Sequence, residues 1–330
     1  MRVSVFITSY NQKKYLVEAI QSVLNQTLRP FEIIVVDDCS TDGSQDVIAG
    51  YASRHSRLIF PIYHTHNRGV TKTRIDALRA VTGDYVTYVD GDDRYLPTKI
   101  EKEAGLLQQN PKAQIAFSNN YYMTSDGTHR GTWADEEKPA QGDIFQETFG
   151  RNFPGYSLFR MEMVQYHAWK RVGFHDSNLR LYEDFDMRIR LTKHYSAVYW
   201  DEPLSEIRFH YTGLSGSDLL QQLDALEYVY TKNRPLLSDL SAPARKNVEQ
   251  RLLNYMAQKA RRGADQALGN GQYRHEHRMR ALKYYIRCLK YQPRSFDYKL
   301  MLRIFLSRRS YNCLRTAYQE LMTKEYSDLT

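Results

Sequence analysis

Three carboxylates occupy four consecutive positions at Asp90-Gly91-Asp92-Asp93, directly after the apolar run Tyr85-Val86-Thr87-Tyr88-Val89. Ionised side chains this close repel one another unless a positive charge sits among them. A hard divalent cation supplies it, because Mg²⁺-type ions take one or two carboxylates and fill the remaining positions with water and phosphate oxygens. A solvated acidic turn would carry the same residues with no ion. Two further acidic clusters share the pattern. Asp37-Asp38 follows the apolar run Phe31 to Val36, and Glu183-Asp184-Phe185-Asp186 opens a helical stretch. A carboxylate at a strand end can accept from an imide N–H or a ribose hydroxyl, or it can serve the turn that starts the next helix. Acids in a first helical turn suit the helix dipole, and equally suit a general base within reach of a hydroxyl. His210, in Ile207-Arg208-Phe209-His210-Tyr211, adds an imidazole of the kind Mn²⁺ accepts; a lone histidine also serves structure.

These residues need strands and helices to bring them together. Arg2 to Thr8 reads as a strand, broken by polar Ser9-Tyr10-Asn11, and apolar positions 15, 16, 19, 20, 23 and 24 mark a helical face. Phe31 to Val36 is a second strand. Asp42 or Ser44 caps the helix that carries Val47, Ile48 and Tyr51. Leu58 to Tyr63, a loop at 64–69, a helix at 70–81 and a strand at 84–89 complete a β-α-β-α-β-α-β series. Such alternation with short connections gives a mainly parallel sheet wrapped by helices, with chemistry at the strand ends. Beyond it the pattern predicts a helix over 97–107, a strand over 113–119 and a hairpin or loop over 121–149. Helices over 161–171 and 181–194 and short strands over 197–200 and 207–211 follow. From 218 the pattern is helical, over 218–232, 242–268, 276–291, 296–306 and 310–323.

The 330 residues suffice for one large domain or two ordinary ones, and 42% hydrophobic with 25% charged residues is a globular composition. The net charge of +8 is unevenly spread: residues 241–330 hold 19 Lys and Arg against 7 Asp and Glu, whereas the first 240 hold 27 against 31. The halves therefore differ in sign, and a basic C-terminal part either faces an anionic surface such as lipid or carries a solvated face. No nucleic-acid partner is expected, since no recognition motif accompanies the charge. Three cysteines, Cys39, Cys288 and Cys313, match no metal spacing and predict a reduced protein. The short apolar start and the lack of any membrane-spanning run predict a cytoplasmic location. No G-x-G-x-x-G follows the first strand, which argues against a dinucleotide-binding dehydrogenase.

Taken together, Val3 to Asn11, Ile34 to Ser44, Tyr88 to Asp93, Glu183 to Asp186 and Ile207 to His210 resemble the motifs of family 2 glycosyltransferases of the GT-A fold, in the family's order. The resemblance covers about residues 1–215. It implies an α/β GT-A domain, the nucleotide-diphospho-sugar transferase fold, over 1–216, with a mainly parallel sheet flanked by helices; an all-helical basic region follows over 217–330. It implies that Asp38, with Thr8 and Tyr10, meets the nucleoside of a donor, UDP-sugar favoured. Arg68 or Arg74 would meet the diphosphate, and Asp90 and Gly91 would line the donor. Asp92, Asp93 and His210 would hold Mn²⁺ or Mg²⁺. Asp184 would act as base in an inverting transfer to a hydroxyl of a saccharide or lipid-linked acceptor, with Glu183 orienting it. Asp76 stands where the family often has Asn, which bears on Arg74 beside it. Among aromatic residues that could stack on a sugar, namely Trp133, Tyr156, Trp169 and Tyr182, Trp133 is expected in the acceptor site and Trp169 in the core. The basic region would either rest peripherally on the inner face of a membrane or pack in an oligomer. Rival readings are a nucleotidyltransferase and an inactive transferase-like scaffold with a lipid-binding tail.

Overall fold

The computed structural model describes residues 1–135, 137–209, 218–269 and 275–293, with residues 297, 300, 301 and 304. His210 and the helix expected over 310–323 lie outside them. The chain divides into two units, Met1–Gly216 with Glu227–Val248, and Ser217–Leu226 with Glu249–Thr330.

The first unit is built on one mixed sheet. Its parallel half is β1 (Val3–Ser9), β2 (Glu32–Asp37), β3 (Ile59–Tyr63) and β4 (Tyr85–Asp90), in the order β3-β2-β1-β4. Every residue of β1 and β2 is buried, as the near-continuous apolar runs require of parallel strands covered on both faces. Helices α1 (Lys13–Leu24), α2 (Ser44–Arg54) and α3 (Val70–Ala80) make the crossovers. Asp42 serves two of them: its Oδ1 accepts from the Ser44 N–H and hydroxyl, and its Oδ2 from the Lys13 N–H. The register sets Ser9 opposite Asp37 and Thr8 opposite Asp90. The acids of β2 and β4 therefore flank β1 at the strands' C-terminal ends, where the strand order reverses and α/β sheets bind ligands.

The sheet continues from β4 through β8 (Met163–Gln165), β6 (Ala113–Met123) and β9 (Ser196–Arg208) to β5 (Arg94–Tyr95). β6 runs four residues beyond the expected strand and turns back as a hairpin with β7 (His129–Thr132). The two short strands expected after residue 196 are one strand. Its register against β6 shifts between Trp200 and Pro203, which fits a proline with no N–H into a ladder. Helices α4 (Lys99–Gln109), α5 (Phe145–Phe149), α6 (Tyr166–Val172) and α7 (Glu183–His194) cover this half. Asp186, one of the first-turn acids that suit the helix dipole, is fully buried and accepts from Arg190, Lys232 and Asn233, so it ties α7 to the end of α8 (Leu219–Asn233).

The second unit packs helix on helix. Tyr284 and Arg280 of α10 (His275–Tyr291) both reach Asp218, and Arg287 pairs with Asp224. The Tyr284 ring lies against Gly263 of α9 (Ala242–Gly269), where a Cβ would come within 2.6 Å of it. Among the described residues no helix is long and apolar enough to cross a membrane.

Candidate active site

The turn after β4 is held to β1 by its backbone. The Gly91 N–H donates to the Thr8 carbonyl at 2.9 Å. A Cβ at Gly91 would lie 2.7 Å from Gln12 Oε1 and 2.9 Å from the Thr8 carbonyl oxygen, so this close approach admits only glycine. Thr8, expected at the nucleoside, donates its hydroxyl to Asp90 Oδ1 at 2.8 Å. Asp90 turns both carboxylate oxygens to Arg74 Nη2, each at 3.0 Å, while Arg74 Nη1 donates to Glu183 Oε1 at 2.8 Å. Arg74 is buried over the Tyr88 ring at 5.1 Å. Its burial works against its charge and is outweighed by Asp90 and Glu183. One guanidinium thus joins two motifs 93 positions apart. Burial would raise the Asp90 carboxyl, but Arg74 and Thr8 hold it below the usual range.

Asp93 is buried beneath this turn, its Oδ1 accepting the Arg208 N–H at 2.7 Å. Burial, then the charges of Asp92 and Asp90, push its carboxyl well above the ordinary range. Asp92 is half-buried, and its carbonyl accepts from Arg208 Nε at 2.9 Å. Among the described residues no three His, Cys, Asp or Glu side chains form a metal cage of their own. Asp92 and Asp93 do fit a hard cation completed by substrate oxygens: the donors are carboxylates, and the negative charge crowding Asp93 is what such an ion relieves.

Glu183 and Asp184 open α7 after Tyr182, whose backbone is left-handed at φ 60. His175 Nδ1 lies 3.3 Å from the Glu183 carbonyl, and burial and then Arg74 lower this imidazole to about 3, so it stays neutral. Burial pushes Glu183 up to about 7, with Arg74 opposing and Asp184 and Asp90 adding. Asp184 goes the other way: burial would raise it, but Arg188, Arg74 and Arg160 hold it well below the usual range. Arg188 is paired with Asp184 and is itself gripped by Glu162 through two bonds of 3.0 and 2.9 Å and by the Tyr88 hydroxyl at 2.8 Å.

At the other edge Asp38 is buried. Its Oδ1 accepts from His64 Nδ1 and from the Arg68 N–H, both at 2.7 Å, and its Oδ2 from the Gly69 N–H at 2.8 Å. His64 Nε2 faces Asp76 Oδ2 at 3.2 Å, and the same oxygen pairs with Arg68 Nη1. Asp76 thus serves the 64–69 loop rather than Arg74. Tyr10 is exposed just beyond β1. His210 lies outside the described residues.

The aromatic expectations divide. Trp169 is core, as its pattern suggested. Trp133, expected at the acceptor, is also buried: its Nε1 donates to the Ser157 carbonyl and its ring joins Phe117, Phe153 and Tyr199. It follows the largely exposed strand β7, where its N–H donates to the Asn120 carbonyl at 2.9 Å while its side chain is buried. Tyr156 is exposed and Tyr182 half-buried. Arg188, Glu162 and His64 are absent from the sequence reading. Arg188 had a signal, four positions after Asp184 on a helix; Glu162 and His64 had none, since their partners are remote in sequence.

Residues 4–167 match the model of Glycosyl transferase family 2. A putative teichuronic acid biosynthesis glycosyltransferase, TuaG of Bacillus subtilis, is 36% identical over 126 residues, covering 38% of this chain and 49% of the relative. An uncharacterized glycosyltransferase of Methanocaldococcus jannaschii is 34% identical over 193 residues, 57% of this chain and 63% of the relative. The chain thus spans less than two thirds of each of these two curated relatives. Among solved structures, S. aureus TarS 1–349 superposes with a TM-score of 0.63 at 16% identity, covering 97% of this chain and 92% of TarS 1–349. The mannosyltransferase PcManGT of Pyrobaculum calidifontis, solved with GDP-Man and Mn²⁺, superposes at 0.57 with 15% identity, covering 100% and 83%. At these identities the likeness is one of fold.

Proposed function

Residues 4–167 belong to Glycosyl transferase family 2, and from that premise we propose that the chain transfers a sugar, with inversion, from a nucleotide-diphosphate sugar to a hydroxyl of a saccharide or lipid-linked acceptor. The observation that carries the reading is Arg74, whose guanidinium bonds Asp90 at the end of β4 and Glu183 at the start of α7. It sets a donor-side acid and an acceptor-side acid about one guanidinium apart, as an in-line displacement needs.

Each residue then has a task. Asp184 stays ionised beside Arg188 and accepts the proton of the acceptor hydroxyl, on the face opposite the leaving group. Glu183 and Arg74 orient it. Asp92 and Asp93 hold Mn²⁺ or Mg²⁺, and Asp90, fully engaged by Arg74, lines the donor without ligating. When bound, the ion offsets the charge on the departing nucleoside diphosphate. Inversion follows because the attacking hydroxyl and the leaving group face each other across one carbon.

Asp38 supports a uracil base. Oδ1 already takes two donors and Oδ2 one, which leaves one accepting position of roughly four on a carboxylate. That suits the single imide N–H of uracil and leaves the paired donors of guanine half-satisfied. Membrane contact through the basic residues 241–330 would bring a lipid-linked acceptor to the site, and the name of the TuaG relative points to polysaccharide synthesis as the setting.

The test pairs binding with turnover. Asp184→Asn is expected to bind UDP as the wild type does and to lose transfer by about 10²- to 10⁴-fold, the usual worth of a general base. A variant that turns over normally refutes the base assignment, and tighter binding of GDP than of UDP by calorimetry refutes the uracil assignment.

A further inference from the structure

The stretch Phe159-Arg160-Met161-Glu162 is stapled between the two catalytic motifs. On one side the Met161 carbonyl accepts from the Thr87 hydroxyl at 3.0 Å and from the buried Lys99 ammonium at 2.7 Å. Thr87 lies on β4, three residues before Asp90. On the other side the Phe159 ring lies 5.3 Å from the Arg188 guanidinium, and Glu162 holds that same guanidinium, which grips Asp184. Met161 keeps a left-handed backbone at φ 55, a strained conformation for a side chain of this kind and one that persists where surrounding bonds enforce it.

The residue this stapling presents is Arg160. Phe159, Met161 and Glu162 are buried, whereas Arg160 is exposed, and among the described residues it has neither a hydrogen bond nor an ion pair. The other arginines that touch the motifs are spoken for: Arg74 by Asp90 and Glu183, Arg188 by Asp184 and Glu162, and Arg208 by Glu18 and three carbonyls. The partial loss of water around the Arg160 guanidinium works against its charge and is outweighed by Asp93, then Asp184, Tyr88 and Asp90. An exposed guanidinium beside acids and paired to none of them is open to an oxyanion, which it binds through two parallel N–H donors.

We propose that Arg160 is a substrate-binding residue that grips a phosphate or carboxylate oxyanion between the Asp92-Asp93 turn and Asp184. The assignment rests on the sugar-transfer reading for its substrate. The oxyanion belongs either to the donor diphosphate or to an acidic group on the acceptor. A cation carried by Asp92 and Asp93 would cancel the acids' pull on Arg160 and free it for the substrate, so binding of ion and oxyanion would reinforce each other.

The test titrates UDP and inorganic pyrophosphate, with Mn²⁺ present, into the wild type, Arg160→Ala and Arg160→Lys. Turnover is followed with acceptors that carry a phosphate or carboxylate and with neutral ones. A loss of about tenfold or more in UDP and pyrophosphate affinity in Arg160→Ala, partly restored in Arg160→Lys, assigns the diphosphate; such a loss is what one charged hydrogen bond is worth. A comparable loss of kcat/KM confined to the acidic acceptors assigns the acceptor. Equal affinities and equal turnover in all three proteins overturn the proposal while leaving sugar transfer standing. A wild type that binds pyrophosphate through Arg160 but uses no nucleotide sugar keeps the oxyanion site and removes the sugar-transfer reading.

Discussion

Glu183 and Asp184 are adjacent carboxylates with opposite electrostatics, and their partners explain the difference. Asp184 lies against Arg188, which has a buried counter-ion of its own, and stays ionised; Glu183 shares one arginine with Asp90 and is pushed up to about 7. Two consequences follow for pH. Ionisation of Glu183 adds negative charge beside Asp184 and makes it a stronger base, so transfer is expected to rise as pH passes through about 7. Glu183→Gln should flatten that limb of the kcat/KM profile; a limb that persists unchanged assigns it elsewhere. For stability, a folded value above the ordinary 4.5 means the group's contribution is fully present below about 4.5 and lost as pH rises through about 7. Thermal denaturation should therefore show the wild type losing ground to Glu183→Gln between about pH 5 and 8, by at most about 3 kcal/mol.

At the level of elements, the strand ends and the start of α7 are joined by buried charge rather than by apolar packing alone. Arg188 and Glu162 are almost wholly enclosed. Removing one member strands the other, so Glu162→Ala should cost about 3–5 kcal/mol in chemical denaturation. Replacing both, as in Glu162→Leu with Arg188→Met, should recover much of that stability yet leave transfer impaired, because Asp184 loses its anchor. A double variant as active as the wild type would show that the pair serves folding alone. At the end of β2, His64 faces carboxylates through both ring nitrogens, and Asp38 is held to the 64–69 loop by three bonds. The strand end and the loop are thus fixed before any ligand arrives.

Across the whole molecule, charge is segregated. Residues 241–330 carry a net +12 and the first 240 residues a net −4. If the basic region meets a membrane, the full chain should sediment with phosphatidylglycerol vesicles at low ionic strength, detach as salt approaches about 0.5 M and ignore phosphatidylcholine. Failure to bind the anionic vesicles at low salt would leave the solvated-face reading of that charge.

The sequence by itself determined the alternation of strands and helices through residue 90, because buried parallel strands need long apolar runs and short connections. It also located the acids at Asp37-Asp38, Asp90 to Asp93 and Glu183-Asp184, since strand ends and helix starts are local features. The register shift in β9, the burial of Trp133 and the tie from Asp186 to α8 were decided only by tertiary packing. So were the partners of each acid. Arg74 reaches across 109 positions to Glu183, Thr8 across 82 to Asp90 and Arg188 across 26 to Glu162. A carboxylate's electrostatics depend on which cation folding brings beside it and how much water folding removes, and neither is written within a few residues of the acid.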